Sequence, residues 1–122
     1  GSKLTEKHLI AARSQVLQMH MSEAVEEYLV QLIIATREPG KYGDDLARWV
    51  EFGASPRGTI ALDRCARAYA WLEGRDYVSP DDVRAVAHDV LRHRILLSFE
   101  AEASGLTTDT VINELLSRVP VA

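Results

Sequence analysis

The residue best placed to do chemistry in this sequence is Arg57, which follows Ser55-Pro56 in the first turn of an expected helix. A helix N-terminus presents free backbone N–H groups and the positive end of the macrodipole. A cation there costs about 0.3–1 kcal/mol where an anion would stabilise. The chain's other Ser-Pro start, Ser79-Pro80, is followed by Asp81 and Asp82, the favoured sign. Free N–H groups, dipole and guanidinium together make a corner suited to an anion such as phosphate, whose arrival removes the penalty. At about 100° per residue, Arg57, Arg64 and Arg67 fall within an arc of roughly 80°. A stripe of Leu62, Cys65, Tyr69 and Leu72 points the opposite way, which predicts one core-packing face and one arginine face. Solvation, or pairing with acids such as Asp63, is the competing account of these arginines.

Other chemistries find little support. No Gly-x-x-x-x-Gly-Lys phosphate loop and no glycine-rich dinucleotide fingerprint occurs. His8, His20, His88 and His93 show no i, i+4 pairing of the kind that binds a metal on a helix. Cys65 falls on the apolar stripe and reads as a buried structural thiol. Asp44-Asp45 and Asp81-Asp82 resemble acid–base pairs, yet Asp81 and Asp82 sit where acids complete a helix cap. The chain alone therefore holds no complete catalytic site.

The elements that must position Arg57 are helical. Leu4, Leu9, Ala12, Val16 and Met19 recur at helical spacing over 4–19. Ser22 is a cap for the next helix, whose inward stripe is Val25, Leu29, Leu32, Ile33 and Thr36 and which Pro39-Gly40 stops after Arg37. Residues 40–54 read as a loop with one short helical turn, held down by Trp49 and Phe52. Ser55-Pro56 and Ser79-Pro80 each place a capping hydroxyl before a proline at the first helical position. They predict helices from there to Leu72 and to about Arg92. Residues 95–99 fit a helix extension or a strand equally well. Thr107 or Thr108 opens a last helix carrying Val111, Ile112, Leu115 and Leu116. The fold class is all-α, a small bundle of about five helices with little or no sheet.

Composition is that of a globular domain: 122 residues, 47% hydrophobic and 26% charged, with a net charge of -4. The acidic balance makes nucleic acid an unfavoured partner. A single cysteine rules out an internal disulfide and suits a reducing compartment. No signal peptide or long apolar run is present, so neither secretion nor a membrane partner is expected. Gly1-Ser2 reads as the remnant of an expression tag.

Gly53-Ala54-Ser55-Pro56-Arg57 resembles the signature that opens a lid helix in the MoxR branch of the AAA+ ATPases. Ala35-Thr36-Arg37, Ala66-Arg67-Ala68, the run from Gly74 to Val83, Val90-Leu91-Arg92-His93-Arg94 and Val119-Pro120-Val121 resemble the same lids in the same order. The resemblance implies a helical AAA+ lid over 22–122, preceded by a connector helix from the ATPase core over 3–21. It implies that Arg57 is the sensor-2 arginine, reaching with Ser55 and Pro56 toward ATP held by a core domain of the same chain. The cofactors implied are ATP and Mg2+ in the intact protein and none in the fragment, which should not hydrolyse ATP alone. Also implied are a cytoplasmic chaperone-like remodeller from a bacterium or archaeon, neighbouring subunits in a ring, usually a hexamer, and a von Willebrand factor A partner. Arg64, Arg67, Arg92 and Arg94 are left between subunit contacts and plain surface residues. The lid of a magnesium-chelatase ATPase subunit is the near alternative. A helical DNA-binding module reading through 80–92, and a protein-binding module showing Trp49, Phe52 or Trp71 as an exposed patch, are the distant ones.

Overall fold

The computed structural model describes residues 6–121, with side chains from 11 onward. Leu4, the side chain of Leu9 and Gly1-Ser2, expected to be a tag remnant, lie outside the described residues. The elements run α1 (Glu6–Leu17), β1 (His20–Met21), α2 (Glu23–Arg37), a 3-10 turn (Pro39–Lys41), α3 (Asp44–Trp49), β2 (Val50–Phe52), α4 (Arg57–Leu72), β3 (Tyr77–Val78), α5 (Pro80–Leu91), β4 (Leu96–Leu97), α6 (Phe99–Ala103) and α7 (Thr108–Arg118). The five expected long helices are present, and α3 is the short turn expected within 40–54. The helix α6 was not foreseen.

Capping sets most of the helix starts. Ser22, Ser98 and Thr107 each accept a hydrogen bond from the N–H three residues on, at 3.2–3.3 Å. Ser79 does the same for α5, and the Asp82 carboxylate reaches back to the Ser79 N–H at 2.8 Å, closing a capping box. Two short strand pairs tie the helices together. β1 lies parallel to β3, with His20 opposite Tyr77, and β2 lies antiparallel to β4, with Val50 opposite Leu97 and Phe52 opposite Leu96. Residues 95–99 thus resolve into a strand followed by the Ser98 cap of α6.

The core gathers around α2. Val25, Leu29, Leu32, Ile33 and Thr36 are all buried, as their spacing predicts, and they meet Leu46, Leu62, Leu91, Ile112 and Leu115. Burying such aliphatic side chains is worth about 1.5–3 kcal/mol each before entropy is counted. Three expectations fail here. The buried stripe of α4 is Gly58, Leu62, Ala66 and Ala70, whereas Cys65, Tyr69 and Leu72 are exposed, Leu72 by 76%. The i, i+4 row of small residues suits the close packing of α4 on α5, turning the larger apolar side chains outward. Phe52 is not tucked down but 65% exposed, opposite its strand partner Leu96, which is exposed too. Trp49 and Trp71 are half-buried against the core, so the three aromatics form no common patch. The third failure, at Ser55, belongs to the site.

Candidate functional site

Ser55, Pro56 and Arg57 lie on the surface where α4 begins. The expected cap is absent: among the described residues no side chain bonds the first turn of α4, and the Ser55 contribution comes from its backbone carbonyl, which accepts from the Gly58 N–H at 2.8 Å. The cap position of α4 falls one residue later than the sequence pattern predicts: it is Pro56, already in the right-handed helical conformation, and a proline side chain accepts no hydrogen bond. Arg57 extends from this uncapped terminus and, among the described residues, enters no hydrogen bond or ion pair.

Several other arginines are paired. Arg67 is held by Asp63 at 3.1 Å and by the Met19 carbonyl, so it belongs to the junction with α1 rather than to an arginine face. Arg92 bridges Asp109 at 3.0 Å and Asp89 at 3.3 Å. Arg118 grips Asp45 through two bonds of 2.7 Å, which hold that carboxyl at about 2, well below its ordinary range. Arg75 pairs with the buried Asp82. Arg64 is exposed without a partner among the described residues, two turns into α4.

Residues that the sequence pattern alone does not assign to the site build its floor. Ala54 is fully buried, its N–H donating to the Thr36 hydroxyl at 3.0 Å and its carbonyl accepting from Arg37 Nη1 at 3.3 Å. Gly53 lies so close to the end of α2 that a Cβ there would stand 2.7 Å from the Arg37 nitrogen and nearer still to the Thr36 carbonyl. A Cβ on Gly58 would meet Ile33 Cδ1 at 3.0 Å and Ala54 Cβ at 3.1 Å, with the Arg94 side chain at 3.7 Å. Arg94 also donates to the Val90 carbonyl at 2.8 Å. The aliphatic stem of Arg94 therefore approaches Gly58, the neighbour of Arg57, while the Arg37 guanidinium reaches Ala54. Among the described residues, no cluster of three or more His, Cys, Asp or Glu could hold a metal ion. No helix among them is long and apolar enough to cross a membrane.

Residues 46–115 match the AAA lid domain family. The chain is 44% identical over 97 residues to the Mycobacterium tuberculosis protein named Chaperone MoxR1, covering 79% of this chain and 26% of that relative. It is 42% identical over 109 residues to Protein MoxR of Paracoccus denitrificans, covering 84% and 32%. The crystal structure of a Cytophaga hutchinsonii protein, put forward as an ATPase, superposes with a TM-score of 0.91 at 39% identity, over 95% of this chain and 36% of that one. The chain thus spans about a quarter to a third of the length of these relatives. Matches to magnesium-chelatase subunits are shorter, 40% identical over 62 residues for the ChlI-1 subunit of Arabidopsis thaliana. The matched segment, the identities over four fifths of the sequence and the shared fold agree: this chain is an AAA lid domain and belongs to the MoxR family of AAA+ ATPases.

Proposed function

We propose that Arg57 is the sensor-2 arginine of a MoxR-type ATPase, with Ser55 and Pro56 forming the turn that brings it to the phosphates of ATP. The observation that carries this reading is the Arg57 side chain, exposed at a helix terminus and, among the described residues, neither paired itself nor joined there by a capping side chain. Charge of one sign is concentrated there, and its natural complement is an anion supplied from outside the chain. ATP would be held by a core domain of the same chain, to which 3–21 is the connector. The acids that bind Mg2+ would belong to that core, since the described residues offer no metal cluster. A guanidinium fixed against the γ-phosphate stabilises charge that moves during phosphoryl transfer and couples lid position to nucleotide state. Ring assembly, a hexamer, a von Willebrand factor A partner, chaperone-like remodelling and a cytoplasmic setting complete the reading on family grounds.

The test is Arg57→Ala in the intact ATPase. Removing a positioned charge-stabilising donor should lower turnover about 100-fold or more. The isolated chain should melt at an unchanged or slightly higher temperature, because an unfavourable dipole contact is lost. A variant that turns over ATP at the parental rate sinks the assignment.

A further inference from the structure

We infer that the last turn of α2 aims Arg57: the Thr36 hydroxyl and the Arg37 guanidinium are positioning groups for the sensor arginine, an inference that rests on the reading of Arg57 above. The start of α4 has no cap of its own, so something else must fix its origin. Both backbone polar groups of Ala54, three residues before Arg57, are tied to side chains of α2. The Thr36 hydroxyl is fully buried and donates to the Ile33 carbonyl at 2.7 Å. That bond uses its one proton and leaves a lone pair for the Ala54 N–H. Arg37 completes the pair from the solvent side. Gly53 and Gly58 remove the two Cβ atoms that would hold the segment off α2. Three residues span at most about 10 Å, so a shift of Ala54 is passed to Arg57 with little slack.

A purely structural role for Thr36 predicts something else, and two conservative variants separate the roles. Thr36→Val keeps the volume and loses the hydroxyl; Thr36→Ser keeps the hydroxyl and loses a methyl group. Turnover and ATP affinity would be measured in the intact ATPase for both, each also in an Arg57→Ala background. If Thr36 positions Arg57, Thr36→Val lowers turnover about tenfold, within the about 100-fold that a 1 Å misplacement can cost. Thr36→Ser should retain most of it, even where its melting temperature falls. In the Arg57→Ala background Thr36→Val should then add no further loss, in rate or, where that rate is too low to compare, in affinity. Equal losses in the two variants, or losses that multiply with Arg57→Ala, overturn the inference and leave the sensor reading standing. Parental turnover in Arg57→Ala alone removes the reading and the inference together. Should Thr36→Val not fold, Arg37→Gln, at an exposed side chain, takes its place with the same non-additivity expected.

Discussion

Gly53→Ala is a single methyl group, yet the structure makes it one of the most damaging small changes available. The backbone at Gly53 is not in the left-handed region, so alanine meets no conformational objection. The objection is steric. The new Cβ would lie 2.7 Å from the Arg37 nitrogen and nearer to the Thr36 carbonyl, whereas real Cβ contacts stay beyond 3.0 Å. These are backbone atoms at the end of a packed helix and cannot swing aside. Relief requires Gly53-Ala54 to lift off α2, which strains the packing by about 1–3 kcal/mol. Lifting also strands the buried Ala54 N–H, for a further 1–3 kcal/mol or so. The sum is about 4 kcal/mol, against a stability of about 5–15 kcal/mol for a domain. At this size that lowers the melting temperature by about 15 °C. Gly74→Ala is the control. Gly74 has φ +81° and nothing within 4 Å of its Cβ position, and it closes α4 with bonds from Gly74 N to the Trp71 carbonyl and from Arg75 N to the Ala70 carbonyl. Alanine there suffers only the left-handed backbone penalty, about 1 kcal/mol. Urea or thermal unfolding of the two variants of the 122-residue chain decides the matter. A Gly53→Ala chain as stable as Gly74→Ala would refute the close-approach argument.

Tyr28 is fully buried, and its hydroxyl has no partner among the described residues. Tyr28→Phe should therefore leave stability unchanged or raise it by about 1 kcal/mol in equilibrium unfolding, and a loss would reveal a bound water or an unseen acceptor. The Asp45 carboxyl is held at about 2 against an ordinary 3.8, by the Arg118 hydrogen bonds first. Its folded value is depressed, so its contribution is present above about pH 4 and disappears as pH falls toward 2. Acid unfolding monitored by circular dichroism should show that component, and Asp45→Asn should abolish it. Cys65 is exposed, so a thiol reagent should modify the folded chain nearly as fast as the unfolded one. Strong protection would restore the buried-thiol reading.

The long helices were legible because their apolar residues repeat without interruption, and α2 and α7 bury the residues their spacing predicts. The face of α4 was not. A periodicity reading weights the largest side chains, and Leu62, Cys65, Tyr69 and Leu72 outweighed the row that packs, Gly58, Leu62, Ala66 and Ala70. Small residues carry little hydrophobic signal, yet they let a neighbouring helix come close, a property of pairs of elements that one segment does not display. The arginine face divided for a similar reason. Arg67 meets the carbonyl of Met19, a partner 48 positions away. The anomaly at Arg57, a cation in the first turn of a helix, was visible from its neighbours alone because it is local, whereas its role was implied only by the family resemblance. Thr36 and Arg37 were visible only as the end of a helix, since the residue they hold lies 17 or 18 positions on.

At the two Ser-Pro starts the same dipeptide leads to opposite outcomes. At Ser79 the sequence itself completes the cap: Asp82 closes the box, and the terminus is neutralised from within. At Ser55 the equivalent position is Gly58, whose missing Cβ lets Ile33 and Ala54 come within van der Waals reach. An acid there would offer a cap but would also drive the segment from α2 and place a carboxylate beside Arg57. The residue that makes the close packing possible is therefore one that cannot close a capping box with Ser55. Fixing the start of α4 from the side, through α2, keeps its tip rigid while its positive charge stays uncompensated. Gly58→Asp probes both consequences at once. It should destabilise the chain by about 1–3 kcal/mol through overpacking. In the intact ATPase it should depress turnover more than Gly58→Ala, since only the aspartate also brings a negative charge to the turn that carries Arg57. Equal turnover in the two variants at matched folding would mean that the open charge at this tip has no part in the chemistry.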